Sequence, residues 1–202
     1  AKQVTMDTEI AGGAYWHPEY DPLDPMTFEN AHSDLPKDIQ SLVDQKKAFP
    51  VLVSQASIYP GGRIMPAIMK GIPPAQNIVN MPTDALFGHE EIAIPVLIGK
   101  GMASESKLEV GDAFTIRWLD ADLTYDADEG TVVQIMDTEN FKLDMGHIWI
   151  PLSKAQSMLA MEGEATYVTY EKGVPPVQDK GDWFSRDINY LVQDMEAIIE
   201  AD

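Results

Sequence analysis

Apolar positions recur at helical spacing in two stretches of this chain and at every second residue in several others. Leu35, Ile39, Leu42 and Val43 share one face, which predicts a helix over about 35–46. Asp34 is placed as its N-cap, Pro36 in its first turn, and Lys46 and Lys47 at the negative end of its dipole. Phe184, Ile188, Leu191, Val192, Met195, Ile198 and Ile199 form a second stripe, predicting a last helix from near Asp182 to the end. Between the two, Phe49–Ile58 and Arg63–Ile72 are β-prone and flank Pro60-Gly61-Gly62. They predict a hairpin, with Pro66 placing the second strand at a sheet edge. Further strands are predicted at Ile92–Ile98, Ala113–Leu119, Thr131–Met136, His147–Ile150 and Ala165–Tyr170. Short helices are predicted at Met102–Leu108 and Ser153–Leu159. Ala1–Pro18 reads as an extended lead-in, and Pro18, Pro22 and Pro25 mark a loop. Residues Pro73–Glu91 carry little periodicity, and Gly173-Val174-Pro175-Pro176 ends the last strand.

With 202 residues, 45% of them hydrophobic, the chain is long enough for one large domain or two small ones sharing a core. Its formal net charge is −19, from 33 Asp and Glu against 14 Lys and Arg. That charge argues against a nucleic-acid partner and against docking on anionic lipid, both of which need clustered cations. The absence of cysteine removes disulfides, thiolate nucleophiles and cysteine-based zinc sites. No apolar run has the length of a membrane span, and Ala1-Lys2-Gln3-Val4-Thr5 leads into polar sequence without a signal-peptide pattern.

Motifs that carry chemistry fail on inspection. Gly99-Lys100-Gly101 follows a strand and precedes a helix, but Ser104 stands at the third glycine position of a dinucleotide fingerprint. A tight strand-to-helix turn explains it better. His89-Glu90-Glu91 is not a zinc-protease motif, because Ala93 holds the second histidine position. His17, His32, His89 and His147 lack ligand spacing. There is no nucleophile elbow and no phosphate-binding P-loop. Asp120–Glu129 is the sharpest local feature, a run of carboxylates. An EF-hand register from Asp120 puts Tyr125 where glycine is required and Thr131 where the bidentate glutamate is required. The run therefore reads as a solvated, flexible hairpin loop. No cofactor, metal or catalytic residue is assigned.

One long stretch carries a resemblance. Ile98-Gly99-Lys100-Gly101-Met102-Ala103 is followed by Leu108-Glu109-Val110-Gly111-Asp112, by Gly130-Thr131-Val132-Val133-Gln134-Ile135 and by Pro151-Leu152 with Ala155-Gln156-Ser157-Met158-Leu159. Met69-Lys70-Gly71-Ile72-Pro73-Pro74 precedes them, and Gly13-Ala14-Tyr15-Trp16-His17-Pro18 stands further upstream. In this order the blocks resemble the MacB-type periplasmic core domain of FtsX-like and lipoprotein-releasing ABC transporter permeases. The resemblance is strongest from Ile64 to Tyr170.

The resemblance implies an α+β fold with two lobes. A porter-like lobe of strand–helix–strand units would take residues 1–74 and 163–202, and an inserted β-rich sabre-like lobe residues 75–162. It further implies a non-catalytic extracytoplasmic domain set between membrane helices in the cell's inner membrane. Its partners would be a cytoplasmic ABC ATPase, reached through the full-length permease, a second permease subunit, and a periplasmic partner or lipoprotein substrate. Such permeases couple ATP hydrolysis to export or envelope work by mechanotransmission. Family members that feed a soluble carrier have a long protruding hook where this chain has only Asp120–Glu129, so transfer through such a hook is not expected. A basic partner would meet the loop at Asp120, Asp122, Tyr125, Asp126 and Asp128.

The alternative reading is a secreted acidic calcium- or carbohydrate-binding protein. Tyr15, Trp16, Trp118 and Trp149 would be its stacking platforms, against core packing as their ordinary role.

Overall fold

Strand β2 (Ala48–Tyr59) is twelve residues long, more than one neighbour covers, and several strands share it. The computed structural model describes residues 11–137 and 144–200. Ala48–Val51 of β2 pair antiparallel with β8 (Tyr167–Tyr170). Leu52–Ile58 pair antiparallel with β3 (Met65–Ile72). Ser57–Tyr59 carry β5 (Ala113–Leu119) on the edge opposite β3. β3 runs parallel to β7 (His147–Pro151), and β4 (Ile94–Gly99) runs parallel to β6 (Tyr125–Met136). A single antiparallel bridge, Leu97 with Trp149, joins β7 to β4. The β5–β6 hairpin then completes a closed ring, β2–β3–β7–β4–β6–β5.

Side chains of one parity from all six ring strands meet in one apolar cluster. It includes Ile58, Met69, Val96, Ile98, Ile116, Val132 and Ile148, with Met102 and Leu159 supplied by the short helices α2 (Lys100–Ser106) and α3 (Leu152–Leu159). The opposite parity of β4 and β7, Leu97 and Trp149, joins a second cluster under Val79, Met81 and Leu86. Both strands are thus covered on two faces, which is why β4 reads as an unbroken apolar run.

The other end of β2 starts a four-stranded sheet, β2–β8–β1–β9, with β1 at Gly13–Trp16 and β9 at Phe184–Asp187. Alternation along β1 divides its faces. Tyr15 packs with Ile39 and Leu42 of α1 (Lys37–Asp44), beside Trp183. Ala14 and Trp16 pack with Leu191 and Met195 of α4 (Ile188–Glu200).

Four expectations change. Pro36, not Asp34, occupies the N-cap position of α1 without a side-chain cap, and the helix is tied instead by Asp38, whose Oδ2 accepts from the Asp179 amide at 2.8 Å. Pro66 does not mark an edge strand, because β3 is paired on both sides. It lies before the β7 pairing begins at Ile68, where the missing N–H costs nothing. The last helix begins at Ile188, since Phe184–Asp187 pair with β1 and Phe184 is exposed. Half of the acidic segment, Tyr125–Glu129, is strand, because β5 pairs with it from Leu119–Tyr125 to Thr115–Glu129.

Candidate functional site: a cavity beneath the terminal helix

Where ring and sheet meet, their faces form one continuous floor. Register places Ile68 and Lys70 of β3 beside His147 and Trp149 of β7. It likewise places Ala14 and Trp16 of β1 beside Thr169 and Tyr167 of β8. Helix α4 covers this floor with Leu191, Asp194, Met195 and Ile198, and a cavity of about 330 Å³ remains between them. Leu23 and Met145, both exposed, stand among its lining residues.

The walls are aromatic. Tyr20 stacks on Tyr167 with ring centroids 5.7 Å apart and meets the edge of Trp16 at 5.1 Å. The Lys70 ammonium lies 5.9 Å from the Trp149 ring and 5.8 Å from that of Tyr167, and only 9% of the residue is exposed. Among the described residues no carboxylate comes within ion-pair distance of it. The two rings replace part of its lost hydration, since a cation is drawn to an aromatic face. His147 Nδ1 is closed off from solvent and has no hydrogen-bond partner among the described residues. Burial, and secondly the charge of Lys70, hold the imidazole far below its ordinary pKa, so it is neutral at pH 7. Across the cavity Asp194 is pushed up by burial and by Asp21, against a smaller opposing effect of Arg186. Arg186 itself lies over Trp16, Phe184 and Tyr190, 4.3 Å from the centroid of the last.

Sequence reasoning did not find this site. The available signal was a lysine between Ile68 and Ile72, at a strand position whose parity points to the covered face. Lys70 had meaning only as part of a motif, and His147 only as one of the scattered histidines.

The acidic residues singled out from sequence lie elsewhere, at the tip of the β5–β6 hairpin. Asp120 Oδ1 accepts from the amides of Asp122 and Thr124, both at 2.9 Å, which closes a tight turn with Leu123 at φ +61°. Asp126 and Asp128 accept from the next residue's amide, Ala127 and Glu129. Tyr125 lies under the Arg117 guanidinium at 4.0 Å. Pairing opposite Trp118 and Ile116 puts Asp126 and Asp128 on one face, and Tyr125 on the other. The five therefore do not converge on one point. Among the described residues no three His, Asp or Glu side chains come together as a metal site.

The glycine motif has a structural explanation. A Cβ at Gly99 would run into the carboxyl of Asp144, a residue 1% exposed whose Oδ1 accepts from the Met102 amide at 3.0 Å. The chain's own carboxylate fills the space that a phosphate would take in a nucleotide-binding turn. Tyr15, Trp16, Trp118 and Trp149 are all buried, and Trp118 Nε1 donates to the Met158 carbonyl at 2.9 Å. That burial favours core packing as their role over a row of exposed sugar-stacking platforms.

The scan against protein-family models finds no match, and no curated protein matches. Solved structures do. The periplasmic region of MacB from Actinobacillus actinomycetemcomitans aligns with a TM-score of 0.54 at 10% identity, covering 91% of each chain. The extracellular domain of the noncanonic ABC-type transporter YknZ from Gram-positive bacteria aligns with a TM-score of 0.49 at 13% identity, covering 81% of this chain and 83% of that one. The mixed α/β fold of this chain is that of a MacB-type periplasmic domain. No helix among the described residues is long and apolar enough to cross a membrane.

Proposed function

We propose that this chain is the extracytoplasmic domain of an ABC transporter permease of the MacB, FtsX or lipoprotein-releasing type, held at the cell's inner membrane. It would be non-catalytic and would couple cytoplasmic ATP hydrolysis to export or envelope work by mechanotransmission. The observation that carries this is the fold likeness to the MacB periplasmic region over 91% of both chains, in a sequence with the family's blocks in order. A second feature supports it. Gly13, where β1 begins, pairs with Asp187, after which α4 starts, so these two segments lie side by side. A domain inserted between two membrane helices needs such neighbouring connections.

In this reading residues 1–74 and 163–202 form a porter-like lobe and residues 75–162 a sabre-like lobe, with β2 and β3 stitched to strands of the second. The partners are a cytoplasmic ABC ATPase and a second permease subunit, with a periplasmic partner or lipoprotein substrate outside. The tight Asp120–Thr124 turn leaves no hook for a soluble carrier. A basic partner would contact Asp120, Asp122, Tyr125, Asp126 and Asp128.

The test is to read the gene on both sides of this segment. Apolar stretches of about twenty residues on each side, with an ATPase gene adjacent, are the expected result. A signal peptide before the segment and a stop codon after it would sink the proposal. Once a partner is in hand, reversing Asp122 and Asp126 to lysine should weaken binding at least several-fold, and unchanged affinity rejects the hairpin contact.

A further inference from the structure

We infer that the cavity beneath α4 binds a small anionic amphiphile, with a single carboxylate- or phosphate-like head on Lys70 and an apolar body against the aromatic wall. The volume of about 330 Å³ falls at the small end of the range that ligand pockets occupy. The lining fits that class on both counts. Trp16, Tyr20 and Tyr167 with Leu191 and Met195 supply an apolar surface. Lys70, 9% exposed and without a carboxylate partner among the described residues, supplies one fixed positive charge. Buried ammonium groups are ordinarily paired, so an ammonium that faces a cavity with no carboxylate partner among the described residues favours an anionic ligand there.

Other ligand classes fit less well. A cationic amphiphile would meet Lys70, and a neutral one would leave it unpaired. The carboxylate in the cavity, Asp194, sits on α4, and the charges it feels most are Asp21 and Arg186. The net charge of −19 disfavours approach of any anion from a distance, so the selectivity must come from local contacts. Exposed Leu23 and Met145 give the apolar end of a ligand somewhere to begin. This inference rests on the cavity and stands whether or not the permease reading does.

The experiment is isothermal titration calorimetry of the purified chain with decanoate, decanol and decyltrimethylammonium, three ligands that share an apolar tail and differ in the head. Decanoate should bind at least tenfold tighter than decanol, and the cation more weakly than either. Lys70→Met should erase the preference for decanoate, while Lys70→Arg keeps it. Met195→Trp, which fills the cavity from the helix side, should block decanoate without lowering the melting temperature much. A merely structural lysine would show a different pattern: Lys70→Met would melt earlier and leave ligand preference unchanged. Equal affinity for decanoate and decanol, no heat from decanoate at its highest monomeric concentration, or an undiminished preference in Lys70→Met would each overturn the proposal.

Discussion

The ring interior and the cavity under α4 share β3 and β7, which turn one parity to each, yet the two regions are packed to opposite ends. Inside the ring, space is used up. A Cβ at Gly130 would stand 2.7 Å from Ile116 Cδ1 and 3.1 Å from Val96 Cγ2, so any larger residue there would force these core side chains to shift. On the outer face of β3 and β7 a cavity remains beneath α4, lined by a lysine, a histidine and an aspartate. Close packing makes a scaffold rigid, while room and buried polar groups are poor for stability and useful for recognition. The comparison teaches that this chain puts its stability in the ring and its chemical possibilities on the sheet that α4 covers.

The sharpest way to break that comparison is to truncate a side chain in each region. Ile116→Ala in the ring should cost about 4 kcal/mol, near the upper part of the range for a fully buried isoleucine. Leu191→Ala on α4 should cost about 2 kcal/mol and should leave amide protection of the ring strands unchanged. Urea denaturation with hydrogen exchange measures both, and a loss of ring-strand protection in Leu191→Ala would mean that sheet and ring open as one unit.

A smaller effect sharpens the role of close packing around Gly99. Gly99→Ala should cost about 3 kcal/mol, because the new methyl meets the Asp144 carboxyl. In an Asp144→Ala background the same substitution should cost much less, and a double-mutant cycle reads the difference. Additive costs would remove Asp144 as the reason for that glycine.

The smallest effect concerns pH. The folded pKa of His147 lies below the ordinary 6.5, so the unfolded chain takes up that proton first as pH falls. The contribution of His147 to stability is therefore complete above 6.5 and is lost progressively below it. His17 is shifted in the same direction, chiefly by burial, and adds to the slope. Stability measured from about pH 7.5 down to about pH 5 should fall, and His147→Phe should flatten the fall. An unchanged slope in the variant would place the acid sensitivity elsewhere.

Much of the fold was legible in the sequence. Alternation located β5, β8 and the β2–β3 hairpin, and helical spacing located α1 and the body of α4. The elements that were misread share a cause. Tyr125–Glu129 carries too many charges to score as strand, and it is one because β5 supplies the pairing. Phe184–Asp187 has four residues whose apolar head merges with the stripe of the helix after it. Asp34 fits a capping pattern, but Pro36 starts the helix two residues beyond its reach. Of the site, almost nothing was legible. A lysine flanked by isoleucines gains its meaning only when β7, β8 and α4 are placed around it, and those contacts cross a hundred or so positions of chain.

The single bridge between Leu97 and Trp149 has a kinetic consequence. Hairpins β2–β3 and β5–β6 join neighbours in sequence and can zip early, whereas the β4–β7 seam joins strands about fifty residues apart with little backbone pairing to reward it. A circle of strands is complete only when its last seam closes. That seam is therefore expected to form late as the chain folds and to be the first place where the circle springs open.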